Sequence, residues 1–452
     1  MRTVVPGLWR RIRTRPATAL IVLQLAAITV VGGVTVARFH IFAAVDELAH
    51  VSFVQEVAEH GSLPWLGRSY VSWQMEAIEQ DVYPRRSSVD PRRIGLAGLS
   101  YEAFQPPLYY LLAAPAFAIP GNYRDKVIAV RAFDLLLLLA AAAILALLAR
   151  AVAAEHWQIA YAAALSVLLW PGVIVRVITV SNAALEVPLT LAYVLLVWLA
   201  TARRDPRLLL AAAAALGLCL LTGLTLVFLA PLLVVAIIAL LRERRDRRTL
   251  AVVALAVALP LLLLAPWVIS NEVRYGALTA GALAKQLQAP LVNPTGQHFG
   301  VGAVISRLGR LDHALLPQEW WSQYGKAGLA EILWLLPALL LAGAVLPVLR
   351  RPRLLRSRAA ALLGSPLPLG LITLAGIVVF VDWPSFLPRY INPTLPLFAL
   401  FAAWAWQGTR RRPAAALAIV AGSSVLTAAV WFYMAGAYYF TNVGAALGIH
   451  AT

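Results

Sequence analysis

Asp46, Glu47 and His50 fall within one helical turn in "HIFAAVDELAH", directly after an apolar run over residues 18–38. A carboxylate held beside hydrocarbon sits in low dielectric, which raises its basicity and suits it to take a proton from a hydroxyl. Ionisable side chains at that depth read as functional by default. The plainer reading is an acidic first turn that complements the dipole of a helix ending at Gly61. That helix would carry Leu48, Val51, Val54, Val57 and Ala58 on one side. Asp46 and His50 are four residues apart, so they share a face.

Three further stretches hold polar groups at the edges of apolar runs. In "YEAFQPPLYYLLAAP" (101–115), Glu102 and Gln105 precede two prolines, and Tyr109 and Tyr110 suit a membrane interface. "RVITVSNAALEVP" (176–188) offers Arg176, Asn182 and Glu186, with Ser181 or Asn182 alternatively capping the next helix. "PSFLPRYINPTLP" (384–396) places Arg389 and Tyr390 at the end of a span. An arginine there either snorkels to the interface or grips a phosphate with its fork of donors. Arg274, Tyr275, Lys285, His298, Trp320 and Trp321 suit a sugar or peptide site and suit a solvated loop equally well. No GxxxxGK[ST], HExxH or GxSxG pattern occurs, and the seven histidines are scattered, which argues against an ATP-driven pump or a membrane metalloprotease.

The elements that must position these groups are membrane helices. The chain is 61% hydrophobic and 13% charged, with a mean hydropathy of +0.78. Spans are expected at 18–38, 127–149, 157–177, 183–201, 207–222, 224–241, 249–269, 329–349, 361–381, 388–407 and 414–434. That is an all-α polytopic membrane protein of about 11 spans, within a range of 10 to 13. The segment 107–119 is short and bounded by proline, and is expected to be an interfacial or re-entrant helix. Residues 207–241 have basic flanks on both sides, so they should cross twice, turning near "LTGLT". The N-terminal basic residues and apolar stretch form a retained first span rather than a cleaved signal. Cys219, the single cysteine, lies in an apolar run and permits no internal disulfide.

The net charge of +17 is one-sided. Residues 1–17, 150–156, 202–207, 242–248, 350–360 and 408–413 hold 22 of the 38 Lys and Arg and 4 of the 21 acids. By the positive-inside rule this face and the N-terminus are cytoplasmic. The charge is then orientation and attraction to membrane lipids, with no need of nucleic acid. Two long polar segments, 39–126 and 270–328, fall on the outer face of what reads as one domain over 1–452. Their size points to work done there.

"DELAH" after the first span, "QPPLYYLLAAP" before the second, "NEVRYGALTA" after the seventh and "RYINPTLPL" entering a late one together resemble the GT-C class of polytopic membrane glycosyltransferases. The similarity is to the protein mannosyltransferase and lipid A aminoarabinose transferase group. The resemblance implies transfer of a hexosyl or pentosyl unit from a polyprenyl-phosphate donor to a glycan, lipid or protein acceptor outside the cytoplasm. It implies that Asp46 is the catalytic carboxylate and that Glu47 helps position the acceptor. Arg389, Gln105, Arg131 and Arg176 would meet the donor phosphate, and His50, Glu102, Tyr109, Asn182 and Tyr390 the substrates. Two positions depart from the pattern: Gln105 stands where relatives often have Lys or His, and Gly223 where they commonly have Lys. Relatives differ in needing a divalent metal, and the sequence leaves that open. A lipid flippase or transporter, or a degenerate scaffold for envelope assembly, is the competing expectation. High Ala, Leu and Arg with few Lys suggest a bacterial plasma-membrane protein from a GC-rich genome of the actinobacterial kind, with cell-wall glycans as expected products.

Overall fold

The computed structural model describes residues 16–42, 44, 46–82, 99–292, 300, 302, 304, 335–381, 390–407 and 416–431. Among them the secondary structure is helical, apart from one isolated bridge between Tyr70 and Leu99.

Helix α1 (Pro16–Arg38) begins on a proline, whose missing N–H costs nothing at a first turn. Its 23 residues reach roughly 34 Å, enough for a bilayer core. Helices α2 (Glu47–His60), α3 (Trp73–Val82) and α4 (Leu108–Phe117) follow, with a 3-10 turn at Tyr101–Phe104 just before α4. Gly61, at φ 63°, ends α2 and donates its N–H to the Val57 carbonyl. Helix α5 (Tyr123–Ala153) opens with a capping box: Asn122 accepts from the Asp125 N–H, and Asp125 reaches back to the Asn122 N–H.

The expected span 157–177 is in fact two helices, α6 (Trp157–Leu168) and α7 (Pro171–Ile178). Pro171 lacks the N–H that would continue α6, and it holds Trp170 in an extended conformation at ψ 134°. The chain then runs through α8 (Ala183–Arg203) and α9 (Pro206–Leu220). A break at 221–223 and a 3-10 turn at Leu224–Leu229 lead into α10 (Ala230–Leu241). The break falls within the "LTGLT" stretch singled out above.

Helix α11 (Arg247–Tyr275) starts on Asp246, whose carboxylate accepts from the Thr249 N–H at 2.9 Å. It stops at Gly276, φ 65°. Beyond α12 (Gly281–Val292) lie α13 (Leu335–Arg350), α14 (Pro366–Val381), α15 (Leu395–Gln407) and α16 (Ala416–Trp431). Among the described residues, five stretches are long and apolar enough to cross a membrane: α1, α5 with α6, α8, Leu224–Leu241, and α11.

Helix α8 is the centre of the bundle and packs on α5, α7, α9 and α10. Helix α1 lies against α5, α6 and α7, and α15 joins α6 to α13. A polar stitch crosses this apolar interior. Gln24 on α1 donates through Nε2 to the Ala162 carbonyl of α6 (2.9 Å) and to Ser424 Oγ of α16 (2.9 Å), with Ser166 Oγ 3.1 Å away. Amide and hydroxyl groups serve as glue where lipid provides no hydrophobic drive between helices. Contacts bring the end of α1 to Arg131 of α5 and the start of α8 to the break at 221–223, which marks one end, and they join the end of α8 to the end of α10 at Arg204 and Glu243, which marks an arginine-rich one.

Candidate active site

Arg131 and Glu47 organise the first of these ends. Both are fully buried. The guanidinium meets the carboxylate twice, Nε to Oε1 and Nη2 to Oε2, each at 2.7 Å. Its other donors take the carbonyls of Phe39 (2.6 Å) and His40 (3.0 Å). Glu47 Oε2 also accepts the Phe42 N–H at 2.9 Å. A buried ion pair persists only when such additional bonds satisfy both partners. The chain between α1 and α2 is therefore wrapped around one ion pair.

That wrapping holds two residues where side chains are seldom found. Phe42 has φ 63° and Asp46 φ 67°. For a bulky residue such as Phe this is a true outlier, and each such position costs on the order of 1–3 kcal/mol. Asp46 occupies the N-cap position of α2, yet its side chain makes no capping bond. Instead its Oδ1 accepts the Tyr101 hydroxyl at 2.8 Å. The adjacent acids thus have separate roles. Glu47 is clamped in the interior, and Asp46 is half-buried and turned toward the 3-10 turn.

The two tyrosines of α4 also part company. Tyr109 donates to both carboxylate oxygens of Asp134, at 3.0 and 3.1 Å, and is fully buried. Its expected contact with substrate gives way to this bond into the bundle. Tyr110 faces α2, where His50 Nδ1 lies 2.8 Å from its hydroxyl and Phe53 stacks on its ring at 3.7 Å. The charges of Glu102, Arg176, Glu186 and Asp46 all act on the Tyr110 phenol, which puts them in its wider neighbourhood.

Gln105 and Asn182 close the far side. Gln105 donates to Glu102 Oε2 at 2.8 Å. Asn182 does not cap α8; its Nδ2 donates to the Thr222 carbonyl (3.1 Å) and reaches Gln105 Oε1 (3.5 Å). Next to Thr222, Gly223 has an ordinary extended backbone, so its conformation does not demand glycine. Space does. A Cβ at Gly223 would overlap Glu186 Oε1 and stand 3.2 Å from Glu186 Cδ. The missing side chain at 223 is the room in which a buried carboxylate sits.

Of the expected phosphate contacts, Arg131 is committed to Glu47 and two carbonyls, because burial leaves a guanidinium no solvent with which to satisfy its donors. Arg176 is partly buried on α7 and belongs to the group around Tyr110. Tyr390 is partly buried just before α15. Arg389 lies outside the described residues, as do His298, Trp320 and Trp321. His40 titrates below the ordinary histidine range, through burial and then the charges of Arg131 and Arg124, so it is neutral at pH 7. No group of three or more His, Cys, Asp or Glu with metal-binding geometry is found among the described residues. Tyr101 and Asp134 were not among the residues singled out from sequence. Asp134 carried a usable signal, being an acid inside a span and three residues from Arg131. Tyr101 carried none beyond its proximity to Glu102.

Comparison with known protein families and with characterised proteins gives no match to this sequence. Comparison of the structure with solved structures does. The crystal structure of ArnT from Cupriavidus metallidurans bound to undecaprenyl phosphate superposes with a TM-score of 0.51 at 16% identity. The chain has the fold of ArnT. The match covers 86% of this chain and 60% of that one, so this chain spans about 60% of the length of ArnT. The apo form of the same ArnT (TM-score 0.49, 17% identity, 87% and 60% covered) was also found. So was the Archaeoglobus fulgidus oligosaccharyltransferase in complex with Zn and sulfate (0.48, 15%, 91% and 52%). ArnT is a lipid A aminoarabinose transferase of the GT-C class, so the resemblance drawn from the motifs is met at the level of the fold.

Proposed function

We propose that this protein is a membrane glycosyltransferase that moves a sugar from a polyprenyl-phosphate donor to an envelope glycan, lipid or protein acceptor, with Asp46 as the base. The observation that carries the reading is the division of labour between adjacent acids. The fold spends a buried ion pair and two left-handed residues to hold Asp46 half-buried with its carboxylate bonded to Tyr101. Strain of that kind clusters at functional sites. The ArnT structure of like fold contains undecaprenyl phosphate, the class of lipid carrier proposed here.

In this reading Asp46 takes the proton of the acceptor hydroxyl. The oxygen attacks the anomeric carbon from the face opposite the phosphate, and the bond to the phosphate oxygen breaks with its electron pair. The transfer inverts the anomeric centre. Arg176 and Arg389 offset the charge that grows on the departing phosphate. Glu102 and Asn182 meet the substrates, and Gln105, which is bonded to both, meets the donor phosphate. The arginine-rich end faces the cytoplasm of a bacterial plasma membrane, 39–126 and 270–328 lie outside, and the full chain crosses about eleven times.

Purified protein in lipid, given radiolabelled polyprenyl-phosphate sugars and envelope acceptors, tests the proposal. Asp46→Asn should keep the fold and lower transfer by about 10²–10⁴-fold, the usual worth of a general base. Transfer by Asp46→Asn at the wild-type rate would remove Asp46 from the mechanism.

A further inference from the structure

A side-chain bond to Asp46 comes from a residue whose own position is set far away in sequence. Tyr101 begins the 3-10 turn Tyr101–Phe104 and donates to Asp46 Oδ1 at 2.8 Å. The chain before it is pinned: Ser100 N–H donates to the Ser69 carbonyl, and Leu99 bridges Tyr70. The chain after it is pinned too. Ala103 and Phe104 pack with Leu66, Ala280 and Ala284 in a small apolar cluster separate from the main core. The same cluster is closed by the end of α11. Tyr275 accepts the Leu66 N–H at 3.0 Å, Arg274 donates to the Leu63 carbonyl at 3.1 Å, and the guanidinium groups of Arg68 and Arg274 stand 4.6 and 5.4 Å from the centroid of the Trp65 ring. Residues 62–70 and 274–287 thus form a clasp, and the turn bearing Tyr101 is seated on it.

We propose that Tyr101 is a positioning residue for Asp46, holding the carboxylate by one oxygen and making its orientation and basicity depend on the clasp between the two polar segments. The inference rests on the reading of Asp46 as the base. A hydrogen bond donated to a carboxylate favours the charged form, so its strength sets where the base titrates. The other titratable and charged groups nearby are Glu47 and His50 on the segment of Asp46, Glu102 in the turn that carries Tyr101, and Tyr110 on α4, on whose phenol the charges of Asp46, Glu102, Arg176 on α7 and Glu186 on α8 act. None of these is altered in the variants below.

The test is the pH profile of kcat/KM, with wild-type protein in lipid and a lipid-linked sugar that it turns over. Tyr101→Phe removes the donor, and the acidic limb should rise by about one pH unit while donor KM stays within about twofold. Incorporation of 3-fluorotyrosine at position 101 keeps the shape and strengthens the donor, so the limb should fall. Phe104→Ala leaves the phenol in place but loosens its seat, and should raise the limb by less than Tyr101→Phe. A limb unmoved in Tyr101→Phe, whatever happens to kcat, would overturn the proposal, as would a fluorinated protein that titrates like wild type. Should Tyr101→Phe fail to fold, the fluorinated protein decides alone. Activity in Asp46→Asn would strike at the base itself and is a separate result.

Discussion

The two ends of the helix bundle carry charge in opposite ways. At the end that holds Asp46, the groups next to the site are inside: Glu47 and Arg131 are sealed together, and Asp134 is sealed against Tyr109, while Lys126 and Glu59 pair farther out, partly exposed. At the arginine-rich end they lie outside. Arg204 pairs with Glu243 in the open, Arg150 covers Trp157 at 4.4 Å, and Arg358 covers Trp198 at 4.2 Å. Exposed pairs of this kind contribute about 0–1 kcal/mol, whereas removal of one partner from a buried pair costs roughly 3–5 kcal/mol. Charge at one end is exposed and contributes little to stability. Charge at the other fixes atoms, and each residue is bound to its place.

Substitutions sharpen the contrast in order of size. Arg131→Ala leaves Glu47 buried and uncompensated, and should lower stability by about 3–5 kcal/mol in a detergent unfolding titration. The double change Arg131→Met with Glu47→Gln should recover much of that stability but little transfer, because the chain at 39–42 loses its anchor. Full activity in the double variant would mean that the clamp does not position Asp46. Gly223→Ala comes next. Its methyl meets the Glu186 carboxylate and should cost about 1–3 kcal/mol, the usual penalty of overpacking. Glu186→Ala in the same chain should restore the loss, and a cycle with no coupling would disprove the contact. At the opposite end, Arg204→Ala or Glu243→Ala should change stability by less than about 1 kcal/mol. A larger effect there would break the comparison.

Much of the frame was legible because lipid imposes simple rules. Runs of apolar residues gave α1, α5, α8 and α11 nearly to their ends, and the paired basic flanks of 207–241 located the break at 221–223. Gly61 stopped α2 where the pattern of valines ran out. The single span drawn over 157–177 missed what Pro171 does to the residue before it. The site was legible only as a set of places. Nothing in "DELAH" tells which acid is clamped, since the partner of Glu47 lies 84 residues on in α5. Nor could composition separate Tyr109 from Tyr110, because successive helix positions face different neighbours, Asp134 for one and His50 for the other. Asn182 read as a cap from local sequence; its true acceptor, the Thr222 carbonyl, depends on how α8 meets the break.

The stitch at Gln24 has a meaning in time as well as in space. Gln24 enters with α1, while Ser424, to which it donates, is made 400 residues later. At synthesis rates of about 5–20 residues per second, that interval is on the order of 20–80 seconds. Throughout it, an amide in the bilayer lacks its last native partner, and an unsatisfied polar group there is costly. The nascent chain must therefore meet that need with Ala162 and Ser166 of α6, or with a helper that shelters the amide. Arrival of α16 then brings Ser424 to the amide and ties the first helix to the last one described.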